Sequence, residues 1–282
     1  MIKTATQFKT YNGRNIDQMP LMLAEGVVPL PVFGFMQNRE GIVEQFGDIY
    51  VDTSDLVAYG GKGASDEIKM VLTVDNQGRI TEDGRKALGL INPLQERDSG
   101  ALVLNDKVYG GFNGAGVVLL SRNDMDKYVI NKSLTETQVL NHPGWRVLLR
   151  YPDAVPDEFA YDKGLMQEIV GRTFAEMKKR HTYTEGMGFY LDEAGKTPKM
   201  RAWYVDWLGY RSGAYGRSGL DDDGGRLLGI TPEAPSALGK VASVVRPYNA
   251  ADLQAFDKAM KGLEGILRPE VLEPFVDLRK KL

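Results

Sequence analysis

Nowhere does this chain keep the strand–helix–strand rhythm that a doubly wound parallel sheet requires. Short apolar and alternating runs dominate up to about position 121, helical patterns take over near 133, and strand-like runs return near 187. Segregation of that kind points to an α+β fold, with mixed or antiparallel sheets packed against helices and a helical C-terminus.

The strand evidence is period-two patterning. Over 67–74, Ile68, Met70, Leu72 and Val74 alternate with mostly polar neighbours, so every second side chain faces one side. Strands are also expected over 49–51, 55–59, 101–104, 107–109, 116–121, 187–191, 200–208, 226–230 and 240–245. Hairpin turns are expected at Asn105-Asp106 and in the glycine-rich segment 110–116. Pro20, Pro29 and Pro31 argue against a continuous helix or a central strand across 19–36. A short helix over 21–25 and an extended edge segment fit better.

The helical evidence lies in caps and in steps of three and four. Thr81 suits an N-cap for a helix ending near Leu90, and Ser133 with Glu136 has the form of a capping box. Pro143 can open a further short helix, with His142 at its entry. The strongest amphipathic pattern spans 157–179, where Phe159, Met166, Ile169, Val170, Phe174 and Met177 share a face. In the tail, Asn249 precedes a stripe of Leu253, Phe256, Met260, Leu263 and Leu267. Pro152 and Pro156 make 150–156 the best linker candidate. It separates units over 1–150 and 157–282, or two layers of one continuous domain.

Composition narrows the chemistry more than it names it. Of 282 residues, 43% are hydrophobic and 26% charged, ample for a packed core. With 35 basic and 38 acidic side chains the net charge is -3, which argues against a chain that coats nucleic acid or anionic membrane as a whole. There is no cysteine, so thiolate zinc, iron–sulfur clusters, disulfides and cysteine nucleophiles are excluded. The two histidines, His142 and His181, stand far apart, and His181 follows Lys178, Lys179 and Arg180 where cations complement a helix C-terminus. No Gly-x-Ser-x-Gly elbow is present. The first nine residues lack an apolar core of signal-peptide length, and no apolar run approaches a membrane span, so the cytoplasm is the expected compartment.

The stretch 196–226 carries the most chemistry. Read as a strand, it puts Trp203, Val205 and Trp207 on one face and Tyr204, Asp206 and Leu208 on the other. A carboxylate among aromatics costs free energy unless it is partnered, so Asp206 is the candidate catalytic acid or base, or else a structural partner of an arginine. Trp203, Tyr204, Trp207, Tyr210, Arg211 and Arg217 form the candidate ligand-binding set. Asp221, Asp222 and Asp223 supply oxygen ligands of the kind that hold Mg²⁺ or Ca²⁺, although their spacing is not that of an EF-hand and a solvated turn explains them equally. The glycine-rich segments 60–63 and 110–116 lack the spacing of a phosphate-binding loop.

Whether the chain is an enzyme is not written in these residues. The leading expectation is an intracellular protein that binds a small-molecule ligand or a protein partner, with homo-oligomerisation open. The alternative is a hydrolase or transferase that works on a phosphorylated or sugar substrate through carboxylates and arginines. A third reading is a single-stranded nucleic-acid binder that stacks bases on the aromatic–basic stretch.

Overall fold

The computed structural model describes residues 8–60, 66–125, 127–128, 130–193, 195–217 and 219–231. The chain divides into two compact units, Met1–Pro232 and Glu233–Leu282, and every described residue belongs to the first. The helices expected in the tail and the strand expected over 240–245 lie outside the described residues.

The chain enters through β1 (Phe8–Asn12), α1 (Asn15–Ala24), β2 (Val28–Pro29), α2 (Val32–Gln37) and α3 (Arg39–Phe46). A hairpin of β3 (Val51–Tyr59) and β4 (Glu67–Val71) leads to α4 (Glu82–Gly89) and the small pair β5 (Arg97–Asp98) and β6 (Ala101–Val103). Then come α5 (Asp106–Gly111), β7 (Val117–Ser121) and the helices α6 (Arg122–Met125), α7 (Glu136–Asn141), α8 (Pro143–Leu148) and α9 (Lys163–His181). Three strands, β8 (Phe189–Leu191), β9 (Lys199–Val205) and β10 (Ala214–Gly216), precede the last described strand, β11 (Arg226–Ile230).

These strands join one mixed sheet with the path β1-β11-β3-β9-β10-β8. The first and last described strands lie side by side, antiparallel, with Phe8 opposite Ile230 and Asn12 opposite Arg226. Strands from before and after 150–156 pair directly, β3 with β9, so that segment turns the chain within one sheet-built unit.

β3 is the centre of the sheet and is buried along its whole length. Its alternation explains why. Val57 and Tyr59 face a core with Trp145, Met166, Ile169 and Trp203, while Leu56 and Ala58 face a second core with Ile16, Met19, Ala87 and Leu88. A strand covered on both faces shows no polar face, and its apolar half reads as a continuous run. Its first half, Asp52-Thr53-Ser54-Asp55, is polar and buried, and there the register with β9 shifts between Asp52 and Leu56. Side chains replace the interrupted ladder. Thr53 donates to the Trp203 carbonyl at 2.8 Å, Thr73 donates to the Ser54 carbonyl at 3.0 Å, and Asp55 accepts the Val32 amide at 2.9 Å. The other Asp55 oxygen takes Arg150 Nη2 at 2.6 Å, an ion pair sealed from water.

Most helix signals hold and a few shift. Thr81 caps α4 by accepting the Gly84 amide at 3.0 Å, and His142 caps α8 by accepting the Trp145 amide at 3.4 Å. The capping box belongs to Thr135 and Gln138 rather than to Ser133 and Glu136, and Asp162 starts α9 five residues later than the pattern suggested. Residues 107–109 are helical, because Asn105 accepts the Val108 amide at 2.8 Å and caps α5 where a hairpin turn was expected. α1 runs through Pro20, against the expected break there. No described helix is long and apolar enough to cross a membrane.

Candidate binding surface

β8, β9 and β10 obey strict alternation at their shared end. Phe189, Leu191, Trp203, Val205 and Ala214 are buried in the core, and Tyr190, Tyr204 and Tyr215 stand half-buried on the opposite face. Register then makes a row of them: Tyr215 is opposite Tyr190 on one side and Tyr204 on the other, and Tyr204 is opposite Asp52 on β3. The Tyr190 and Tyr215 rings stack at 4.2 Å and 5°, and Tyr204 meets Tyr215 at 5.2 Å. Gly213 leaves the space for this, since a Cβ there would lie 2.9 Å from both the Tyr190 and the Tyr215 rings.

Beyond Tyr204 the row continues in loops. Tyr50 packs edge-on against Tyr204 at 5.3 Å and lies 5.8 Å from Trp207, which meets Tyr210 at 4.9 Å. Tyr50 is held by donating to the Gly224 carbonyl. Asp48 fixes the Trp207 end, accepting the Leu208 amide at 3.0 Å and the Gly209 amide at 3.3 Å. Arg217 closes the other end with its guanidinium 4.9 Å from the Tyr190 ring and 5.6 Å from Tyr215.

Carboxylates line the row from beneath. Asp206 is buried; it accepts the Trp207 amide at 3.0 Å and a hydrogen bond from Tyr204, while Arg39 donates to its backbone carbonyl. Burial raises its pKa, and the Tyr204 and Trp207 hydrogen bonds pull it back. Burial also lifts the Tyr204 and Tyr215 phenols, and the Asp206 charge adds to both effects. Asp52 is pushed up to about 7 by burial, against the hydrogen bond from the Arg226 amide and with repulsion from Asp222.

The structure therefore divides the expected site. Tyr204, Trp207, Tyr210, Asp206 and Arg217 come together around the row. Trp203 does not: it is fully buried, 4.8 Å from Phe189, because β9 points it into the core. Nor does Trp207 share a strand face with Trp203, since β9 ends at Val205 and the chain turns. Arg211 points elsewhere, 4.7 Å from the Tyr183 ring and 3.4 Å from the Ser133 hydroxyl. Asp221, Asp222 and Asp223 are exposed on a turn in which Asp222 accepts the Gly224 amide at 2.9 Å, and among the described residues no three acidic or histidine side chains converge as a metal cluster would. His181 ends α9 beside its three basic neighbours, as the sequence suggests. Tyr50, Asp52 and Tyr190 are members that sequence reasoning missed.

No family model matches the chain. It is 33% identical over 84 residues to "Protein-ribulosamine 3-kinase, chloroplastic" of Oryza sativa subsp. indica, and equally to that of subsp. japonica. These matches cover 25% of this chain and 24% of the relative, so the chain spans about a quarter of the length of the curated relatives it matches. One solved structure, described as "Accommodation of massive sequence variation in Nanoarchaeota by the C-type lectin fold", superposes with a TM-score of 0.53. The chain shares that fold. The likeness covers 81% of this chain and 99% of the other at 14% identity, and at that identity it speaks for architecture alone.

Proposed function

We propose that this chain is a binding protein whose C-type lectin unit offers the row Tyr190–Tyr215–Tyr204–Tyr50–Trp207 to a protein partner. One observation carries the reading: aromatic rings set in register across three strands stand half-exposed on the sheet face away from the main core. Tyrosine and tryptophan bring large, rigid contact area with few torsions to freeze, and with arginine they are the residues enriched at interface centres. The solved neighbour is described as accommodating massive sequence variation, which suits a scaffold whose recognition surface is separable from its core. Asp206, Asp52 and Asp222 surround the row against Arg226 beside Tyr50 and Arg217 at its end, a balance that disfavours phosphate backbones and weighs against the nucleic-acid reading.

The test places a photo-crosslinking residue at exposed Tyr210 and another at exposed Leu94, which is not part of the row. A partner captured from Tyr210 alone, and lost when Tyr215→Ala or Arg217→Ala is added, supports the reading. Equal capture from both positions rejects it.

The partial match to a ribulosamine kinase keeps a second reading in play, a transferase acting on a sugar-bearing substrate. Against it stands the partnering of Asp206, whose carboxylate already accepts from Tyr204 and from the Trp207 amide. Phosphoryl transfer from ATP to a ribulosamine, abolished by Asp206→Asn, is the outcome that would revive it.

A further inference from the structure

Among the described residues β7 pairs with β4 alone, in an unbroken register from Val117 opposite Val71 to Ser121 opposite Glu67. The bonds that flank this ladder fix its phase. The Leu72 amide donates to the Gly116 carbonyl at 2.8 Å, and the Arg122 amide donates to the Asp66 carbonyl at 2.7 Å. Bonded and non-bonded positions alternate along an antiparallel pair. Residues 116, 118, 120 and 122 therefore bond towards β4, and Leu119 turns its amide and carbonyl the other way, where no described residue meets them. Its side chain is 57% exposed, whereas Val118 and Leu120, on the other face, pack on the main core and hold the strand in place.

Edge strands are ordinarily guarded by lysine, proline or a bulge, because their open main-chain groups accept another strand. Val117-Val118-Leu119-Leu120-Ser121 carries none of these guards. It is also complementary to itself. In an antiparallel pair of two such strands centred on Leu119, each Leu119 amide donates to the other Leu119 carbonyl, Val117 faces Ser121, and Arg122 faces Gly116. No charged side chain then meets its like. The two ends of the strand differ in charge as well. Arg122 and exposed Lys127 follow it, while exposed Asp157 and Glu158 adjoin Phe159, whose ring would lie 2.9 Å from a Cβ on Gly116 at its start. A two-fold axis through Leu119 brings the basic end of each copy to the acidic end of the other.

We propose that β7 is a dimerisation edge, pairing antiparallel with β7 of a second copy of this chain about a two-fold at Leu119. β7 shares no residue with the tyrosine row, from which β4, β3 and β9 separate it, so the proposal does not depend on the protein-partner reading. Sedimentation equilibrium of the full chain from about 5 to about 500 µM should show the mass climbing towards double. Leu119→Lys should raise the dissociation constant at least tenfold, and so should Leu119→Pro, which removes the outward amide and leaves the bonds to β4. Glu158→Lys should weaken association at low salt and much less at high salt. Exchange of the Leu119 amide should slow as the parent is concentrated. A monomer at every concentration, or a dimer that neither Leu119 variant weakens, overturns the proposal. So does a monomer that binds an unrelated extended peptide along β7, which would give the edge to a different chain. If Leu119→Pro does not fold, Leu119→Lys at this exposed position and the exchange of the parent amide still decide.

Discussion

Tyr190 and Tyr215 are register partners on neighbouring parallel strands, and their rings lie 4.2 Å apart and within 5° of parallel. The pair joins two roles that most surface aromatics keep apart. Each ring helps to hold the sheet end together, and each leaves part of its surface for something else.

Tyr215→Ala should cost about 1 kcal/mol, because it removes contacts with both neighbouring rings of the row. Arg217→Ala should change stability by less than about 1 kcal/mol, since its cation sits over rings at an exposed position. Both should weaken binding to the captured partner by tenfold or more. Denaturant melts and titration calorimetry, run on the same preparations, separate the two effects.

The two tryptophans of the same segment should behave unlike each other. Trp203→Ala opens a hole in the main core and should cost about 3–5 kcal/mol. Trp207→Ala, at a half-buried loop position, should cost about 1 kcal/mol. Comparable losses in urea melts would contradict the placement of the two rings.

Asp52 predicts a pH dependence with a definite sign. Its carboxyl ionises at about 7 in the fold against 3.8 ordinarily, mainly through burial. The stability it contributes is complete below pH 3.8 and is lost as pH climbs through about 7. Asp52→Asn can still accept the Arg226 amide, so it should escape that loss. Thermal melts from pH 4 to pH 8 should show the variant gaining on the parent as pH rises; parallel curves would disprove the assignment.

The Asp55–Arg150 pair is an ion pair with both side chains out of water. Removing one partner leaves a buried unpaired charge, and Asp55→Ala should cost about 3–5 kcal/mol. Replacing both with apolar groups, Asp55→Leu with Arg150→Met, should cost less than the single change. A double-mutant cycle by chemical denaturation gives the comparison.

Elements that declare themselves locally were legible in the sequence. Thr81, His142 and Pro143 announce their helices within four residues, and 226–230 carries its own apolar run. The failures have two causes, one local and one not. Residues 107–109 have strand-like composition, but the Asn105 cap decides for helix. The tyrosine row is built from residues 50, 190, 204 and 215, and only the pairing of β3, β8, β9 and β10 brings them together. Tyr204 was marked from its neighbours in sequence. Tyr190 carried no such signal, since one tyrosine in a three-residue strand looks like any other.

The pairing of β1 with β11 has a consequence for engineering. Phe8 and Ile230 face each other across about 5 Å of sheet. A host loop could therefore receive residues 8–230 as a cassette without its own two ends being pried apart. Grafted so, the tyrosine row would travel with the sheet that sets its register, and the proposed binding could be assayed on a carrier of the experimenter's choice.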